Sequence, residues 1–333
     1  MITTKAELLH TPRWQREMAE AITDPAELLR CLGLPVSLAD TSAGKHFPLR
    51  VPRGFVRRME RENPRDPLLL QVLPRMWENR PAEGYRPDPV GDLASMVVPG
   101  VIHKYRGRVL LVATGVCAIH CRYCFRRHFP YADANPRRGE WEAALEYIAD
   151  DPTIEEVILS GGDPLLLADT RLAGLCSRLQ RIPHLRRLRI HTRLPVVLPS
   201  RVDDALLGWL GESRLQTVIV LHVNHPNELD GVVGGALADL ADTGTVLLNQ
   251  SVLLRGINDD AATLAALSEA LFAAGVMPYY LHLLDKVEGA AHFDVDEGRA
   301  ISLLAELRER LPGYLVPRLV REREGAPAKT PVC

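Results

Sequence analysis

From about Arg106 onward the chain alternates short apolar runs with stretches of helical periodicity. The runs Val109–Ala113, Glu156–Ser160, Leu188–Thr192, Thr217–His222, Val246–Leu253 and Tyr279–Leu284 have strand length and composition. Between them Trp141, Ala144, Leu145 and Ile148 recur at helical spacing, as do Leu264, Leu267 and Leu271. Strand and helix in turn predict successive βα units, hence an α/β fold on a closed or half-closed parallel sheet. Before this core, prolines 48, 64, 67, 74, 81, 87 and 89 break the chain into short helical pieces such as Pro25–Leu32 and Pro52–Glu62. Each proline removes a donor and clashes with the preceding turn, so no long helix fits there. After the core, a helical stretch from Asp296 to Arg310 is halted at Pro312, then come the apolar run Tyr314–Val320 and a basic tail with Gly and Pro. The expected organisation is an N-terminal helical accessory region (1–100), a βα core (101–295) and a C-terminal segment (296–333).

Composition narrows the classes of function. The chain has 333 residues, 47% of them hydrophobic, enough for a substantial core. With 40 basic against 42 acidic residues the formal net charge is −2, which offers no general attraction to nucleic acid or to an anionic membrane. Met1–Glu7 lacks the charged-then-apolar order of a secretory signal, and no apolar run approaches the roughly 20 residues that span a bilayer. A cytoplasmic protein is expected. Its six cysteines make a poor disulfide framework, because three crowd into one loop while Cys31, Cys176 and Cys333 are scattered. Reduced thiols fit better.

The candidate chemistry lies just after the apolar runs, where parallel sheets place their sites. After the first run stands Cys117-Ala-Ile-His-Cys121-Arg-Tyr-Cys124. Thiolates on one short loop suit an iron–sulfur cluster or zinc, and both sites normally use four positions. Three local thiols leave either a metal with one open position or a zinc knuckle completed by His120 or a distant cysteine. After the second run, Gly161-Gly162-Asp163 lets backbone approach a ligand closely and sets an acid beside it. Further polar groups follow the later runs, among them His191-Thr192-Arg193, His222 through Glu228, and Asn249-Gln250-Ser251. A convergent ring of this kind is the usual mark of a pocket.

Cys117-x3-Cys121-x2-Cys124, with Tyr123 before the last cysteine, Phe125 after it and the Gly-Gly-Asp loop, resembles the radical S-adenosylmethionine (SAM) superfamily. The resemblance implies a partial (β/α)6 barrel with a 4Fe–4S cluster on Cys117, Cys121 and Cys124. Its open iron would chelate SAM, whose methionyl end meets Gly161, Gly162 and Asp163. From about Lys104 to Val332 the match narrows to the lysine 2,3-aminomutase family. It is carried by His103-Lys104-Tyr105-x2-Arg108, Arg126-Arg127, His222-x2-His225-Pro226-Asn227-Glu228, Asn249 through Gly256, Pro278-Tyr279-Tyr280 and Lys329-Thr330-Pro331.

That family resemblance implies pyridoxal 5′-phosphate (PLP) held covalently by Lys329, with its phosphate against Lys104, Tyr105 and Arg108. It further implies that Arg126 pairs with the substrate α-carboxylate, and that His222 and Gln250 line the adenosine part of SAM. In lysine-specific members two aspartates capture the ε-ammonium; one aligns with Asp285 and the other with Glu322, which keeps the charge on a longer side chain. L-lysine is therefore the expected substrate, the product (R)-β-lysine, and an external one-electron reductant the expected partner. The chain stops at Cys333, four residues past Lys329, where longer members continue into a zinc-binding segment used in assembly. The expectation is thus of the short branch, which makes β-lysine for a lysyl-tRNA-synthetase-like ligase acting on elongation factor P, with homo-oligomerisation left open. The rival readings are a free-standing aminomutase for another pathway or amino acid, such as glutamate, and a non-catalytic metal-binding interaction protein.

Overall fold

Valine, isoleucine and leucine dominate the apolar runs, and each run becomes a strand of one sheet. The computed structural model describes residues 11–134 and 141–333; Met1–Glu7 lies outside the described residues. Among these the strands lie side by side in chain order: β1 (Met96–Val98), β2 (Val101–Tyr105), β3 (Arg108–Thr114), β4 (Glu156–Gly161), β5 (Arg187–Thr192), β6 (Gln216–Leu221), β7 (Val246–Val252), β8 (Met277–His282), β9 (Arg318–Arg321) and β10 (Thr330–Pro331). Strands β3 to β9 are parallel. Both edges are antiparallel, β1–β2–β3 on one side and β9–β10 on the other.

Helices Glu142–Asp150, Asp169–Gln180, Asp204–Gly211, Gly231–Asp242, Ala261–Ala273 and Glu297–Arg310 follow β3 to β8 in turn. This is an open (β/α)6 array to which β9 adds a seventh parallel strand. Four of the helices begin on an aspartate whose carboxylate accepts first-turn N–H groups: Asp203, Asp230, Asp260 and Asp296. Such caps stabilise a helix by about 1 kcal/mol each, so the strand-to-helix switches are set locally. No helix among the described residues is long and apolar enough to cross a membrane.

Three features differ from the sequence reading. The stretch before the first parallel strand is a pair of antiparallel strands, short enough that no run of alternation betrays it. The Pro52–Glu62 helix shrinks to Arg53–Val56, because Asp66 Oδ2 captures the Glu60 N–H at 3.0 Å and Glu62 adopts a φ of 61°. Finally, the basic tail, in which the sequence suggests no strand, is paired: Thr330 lies opposite Arg321 and Pro331 opposite Val320.

The N-terminal helices pack directly on the sheet. Leu28, Leu29, Phe55, Leu68 and Leu69 share one buried cluster with Leu111, Leu159, Ile190 and Ile219. Polar contacts then splint the cysteine loop onto this layer. The Arg122 N–H donates to Gln71 O at 2.8 Å and the His120 N–H to Arg50 O at 3.0 Å. The fully buried Arg122 guanidinium donates from Nε to Glu78 Oε1 at 2.9 Å and from Nη1 to Phe47 O at 2.6 Å. Arg127 Nη2 reaches the same carboxylate at 2.8 Å. Removing one partner of a buried pair strands the other, at about 3–5 kcal/mol. Glu78→Ala is therefore expected to lower the unfolding free energy by about that amount, read as a drop in the urea midpoint; an unchanged midpoint would show that the splint is not what holds the loop.

Candidate active site

One cavity of about 450 Å³ opens at the C-terminal ends of the parallel strands, and every residue to which the family resemblance gives a role lines it, whereas His120, His225, Glu228, Asn249 and Ser251 do not. After β3 come Cys117, Cys121, Cys124 and Arg126; at the end of β4, Gly161, followed by Gly162 and Asp163; after β6, His222; on β7, Gln250. Asp285 follows β8, Glu322 follows β9, Lys329 precedes β10, and Lys104, Tyr105 and Arg108 come from the β2–β3 hairpin. The volume lies in the range of small-molecule sites.

The three thiols are free and face this cavity, which the other three free cysteines do not line. Burial pushes the Cys117 thiol well up and the Cys124 thiol up to about 11, and each sulfur's charge is opposed further by its neighbours. Such thiolates are stable only if metal replaces the lost water. Three crowded soft donors, with no fourth thiol beside them among the described residues, fit a cluster that keeps one iron open.

The Gly-Gly-Asp loop is dictated first by the protein's own backbone. The Gly162 N–H donates to Thr114 O at 2.7 Å and the Asp163 N–H to Val116 O at 2.8 Å. Gly161 has a φ of 115°, and a Cβ added to Gly162 would fall on Val116 O. The Asp163 carboxylate is occupied as well, accepting from Thr192 Oγ1 at 2.7 Å, the Arg193 N–H at 2.8 Å and the Leu165 N–H at 3.2 Å. What this loop turns toward the cavity is backbone.

Around Lys329 the charges are paired. Its Nζ donates to Glu322 Oε2 at 3.0 Å and lies 3.5 Å from His282 Nε2 and 5.8 Å from the centre of the Tyr280 ring. The Tyr105 hydroxyl donates to Glu322 Oε1 at 2.6 Å. Burial raises the Glu322 carboxyl, but Lys329, Tyr105 and Lys104 together hold it below its ordinary value. Lys104 also pairs with Asp92 at 2.6 Å. Arg108 rests its guanidinium 4.7 Å from the Tyr105 ring centre and has no carboxylate partner among the described residues. A lysine amine, nearby aromatic rings and an uncompensated guanidinium beside Lys104 fit an aldehyde cofactor that carries a phosphate.

Arg126 is oriented from behind, Nε donating to Asp92 Oδ2 at 2.7 Å and Nη1 to Ser160 Oγ at 3.1 Å. Asp285 is the opposite case, since its carboxylate has no hydrogen-bond or ion-pair partner among the described residues. Burial pushes it up to about 7, Lys329 pulls it back and Glu322 pushes it further. Burial and then Arg193 push His222 down to about 3, leaving a neutral ring whose Nε2 is 3.0 Å from the Tyr123 hydroxyl.

Sequence reasoning missed Asp92, and it had no signal to use, because this acid sits in an aperiodic Pro/Gly stretch. Arg193, His191 and His282 also line the cavity. His191 and Arg193 had been marked only as strand-end polar residues, and that position was the signal.

Residues 111–261 match the model of the radical SAM superfamily. The chain is 52% identical over 330 residues to a protein of Escherichia coli (strain K12) named L-lysine 2,3-aminomutase, covering 97% of this chain and 96% of that one. Proteins of the same name from Haemophilus influenzae and Buchnera aphidicola are 51% and 43% identical, covering 95% and 99% of this chain and 94% and 98% of their own length.

Because a Gly162 Cβ has only backbone to displace, Gly162→Ala is expected to cost about 1–3 kcal/mol of stability, the range for overpacking a closed site. Urea unfolding measures this; a midpoint like that of the wild type would mean that the β3 and β4 ends can part.

Proposed function

The chain belongs to the L-lysine 2,3-aminomutase family of radical SAM enzymes, a family of isomerases, and on that premise we propose that it converts L-lysine to (R)-β-lysine by moving the α-amino group to the β-carbon. The observation that carries the reading is one of assembly: Cys117, Cys121 and Cys124 share a cavity with Lys329, which arrives from the far end of the chain.

In this reading the three cysteines hold a 4Fe–4S cluster, backbone at Gly161 and Gly162 meets SAM with His222 and Gln250 beside it, and Lys329 holds PLP with its phosphate on Lys104, Tyr105 and Arg108. When bound, the cluster and SAM supply a carbon radical that takes and returns a hydrogen atom, and PLP supplies the covalent handle for the migrating nitrogen. The chain's own residues hold the geometry. Asp92 and Ser160 fix the plane of Arg126, so that its remaining N–H groups grip the substrate α-carboxylate. Glu322 would hold the Lys329 amine at the cavity wall once substrate has taken its place on the cofactor. Apolar groups such as Ile102, Ile119, Val252 and Leu284 line the same space and exclude water from reactive species.

Specificity for lysine falls mainly to Asp285. Glu322 is already engaged by Lys329 and Tyr105, whereas Asp285 is an unpaired acid that a distal ammonium would satisfy. The resemblance extends the reading to a cytoplasmic supply of (R)-β-lysine for the modification of elongation factor P by its ligase.

Anaerobically reconstituted protein with L-lysine, SAM and a one-electron reductant is expected to yield β-lysine; faster turnover of glutamate would overturn the substrate assignment. The raised Asp285 carboxyl adds a sign. Below about 7 it is protonated and must ionise to pair with an ammonium, so lysine binding releases a proton and tightens as pH rises from about 6 to 8. Asp285→Asn is expected to weaken lysine binding about 10–100-fold, the worth of one charged hydrogen bond, and to flatten this pH profile. A variant that keeps the wild-type profile would remove Asp285 from the substrate site.

A further inference from the structure

Behind Cys121 the cavity wall is built of polar groups that the proposed reaction does not use. Arg193, directly after β5, is 5% exposed. Its Nη1 donates to Cys121 Sγ at 2.8 Å and to the Tyr123 hydroxyl at 3.0 Å. Its Nη2 donates to Gln71 Oε1 at 2.6 Å and to Glu228 Oε2 at 2.8 Å. The Arg193 N–H is tied to Asp163 Oδ2 at 2.8 Å, and its guanidinium carbon lies 5.3 Å from the Phe55 ring centre. Glu228 is fully buried and immobilised in turn, since its Oε1 accepts the Asn224 N–H at 3.0 Å and Gln71 Nε2 at 3.1 Å. A guanidinium held on both nitrogens cannot swing away from the sulfur.

We propose that Arg193 is a positioning residue that makes the cluster easier to reduce, through a fixed charge-assisted N–H···S bond to Cys121, and that Glu228 is the counter-ion that holds it there. The inference rests on the reading of Cys117, Cys121 and Cys124 as cluster ligands. One-electron reduction by the external reductant adds a negative charge to the cluster and its thiolates. A cation and an N–H fixed on one sulfur stabilise that added charge more than they stabilise the oxidised form, and hydrogen bonds to the sulfurs are among the factors that set cluster potentials. The Glu228 carboxylate opposes the same charge, so the two residues push the potential in opposite directions. A purely structural role has no such antisymmetry.

The test is a potentiometric titration followed by electron paramagnetic resonance, with iron and sulfide analysis, on reconstituted wild type, Arg193→Gln, Arg193→Lys and Glu228→Gln. Arg193→Gln with full iron is expected to lower the reduced-to-oxidised ratio at fixed potential about tenfold, a shift of about 59 mV for one electron. Arg193→Lys keeps the charge and should shift less; Glu228→Gln should shift the other way. An unchanged potential in Arg193→Gln at full iron content overturns the proposal. If that variant takes up no iron, Glu228→Gln decides, and a potential there equal to or below the wild type overturns it as well. A wild type without a four-iron signal defeats the cluster reading itself, which separates the two failures.

Discussion

A charge taken out of water has to be neutralised by something else, and the cavity is organised by that requirement. Arg193 faces Glu228, Arg126 and Lys104 share Asp92, and Lys329 faces Glu322. Against this background of pairing, the unpaired groups stand out. Among the described residues Asp285 has no cation, Arg108 has no carboxylate, and three thiols crowd together, two of which, Cys117 and Cys124, burial pushes up. The unpaired groups differ in chemical kind, an acid, a base and a soft donor set, so they describe several ligands rather than one. The resemblance names a cluster, a phosphate-bearing cofactor and an ammonium-bearing substrate, and the charges that the protein leaves uncompensated suit such a set.

The N-terminal layer has a part in this beyond covering the sheet. It supplies Glu78 to Arg122 and Arg127, Gln71 to Arg193 and Asp92 to Arg126. Each of these arginines lies on the cysteine loop or at a strand end beside it. The loop has little regular structure of its own, and its rigidity comes from residues far away in the chain. A proline-broken region of short helices suits that task, because many short segments can each present one side chain at one point.

Sequence patterning revealed the parallel core well, since each apolar run there is continuous and followed by an amphipathic helix. It also pointed to the strand-end groups of the cavity, because strand ends in such a fold converge on one face, whereas Lys104, Tyr105, Arg108, Arg126, Asp285, Glu322 and Lys329 are reached only through the family resemblance. What it could not show were interactions without periodicity. The β1–β2 strands and β10 are too short for alternation to register, and β10 pairs through only Thr330 and Pro331. One partner each of Arg126 and Arg193 comes from the N-terminal layer, and nothing in the spacing of Asp92 or Gln71 announces that they will face the loop. Glu322 was read as a substrate-binding acid; the fold sets it beside Lys329 and Tyr105, a neighbourhood created only when β9 joins β8.

The pairing of β10 with β9 has a consequence for how the molecule comes into being. Lys329 is the last of the site residues in chain order, and its position depends on two rungs to a strand that itself docks on β8. A ribosome must therefore have made every other site residue, and the sheet must be laid down through β9, before that amine meets the cavity. Until then the cysteine loop, the Gly-Gly turn and Arg126 can already stand in place while the wall that carries Lys329 is absent. The order of synthesis thus brings the amine to the cavity last.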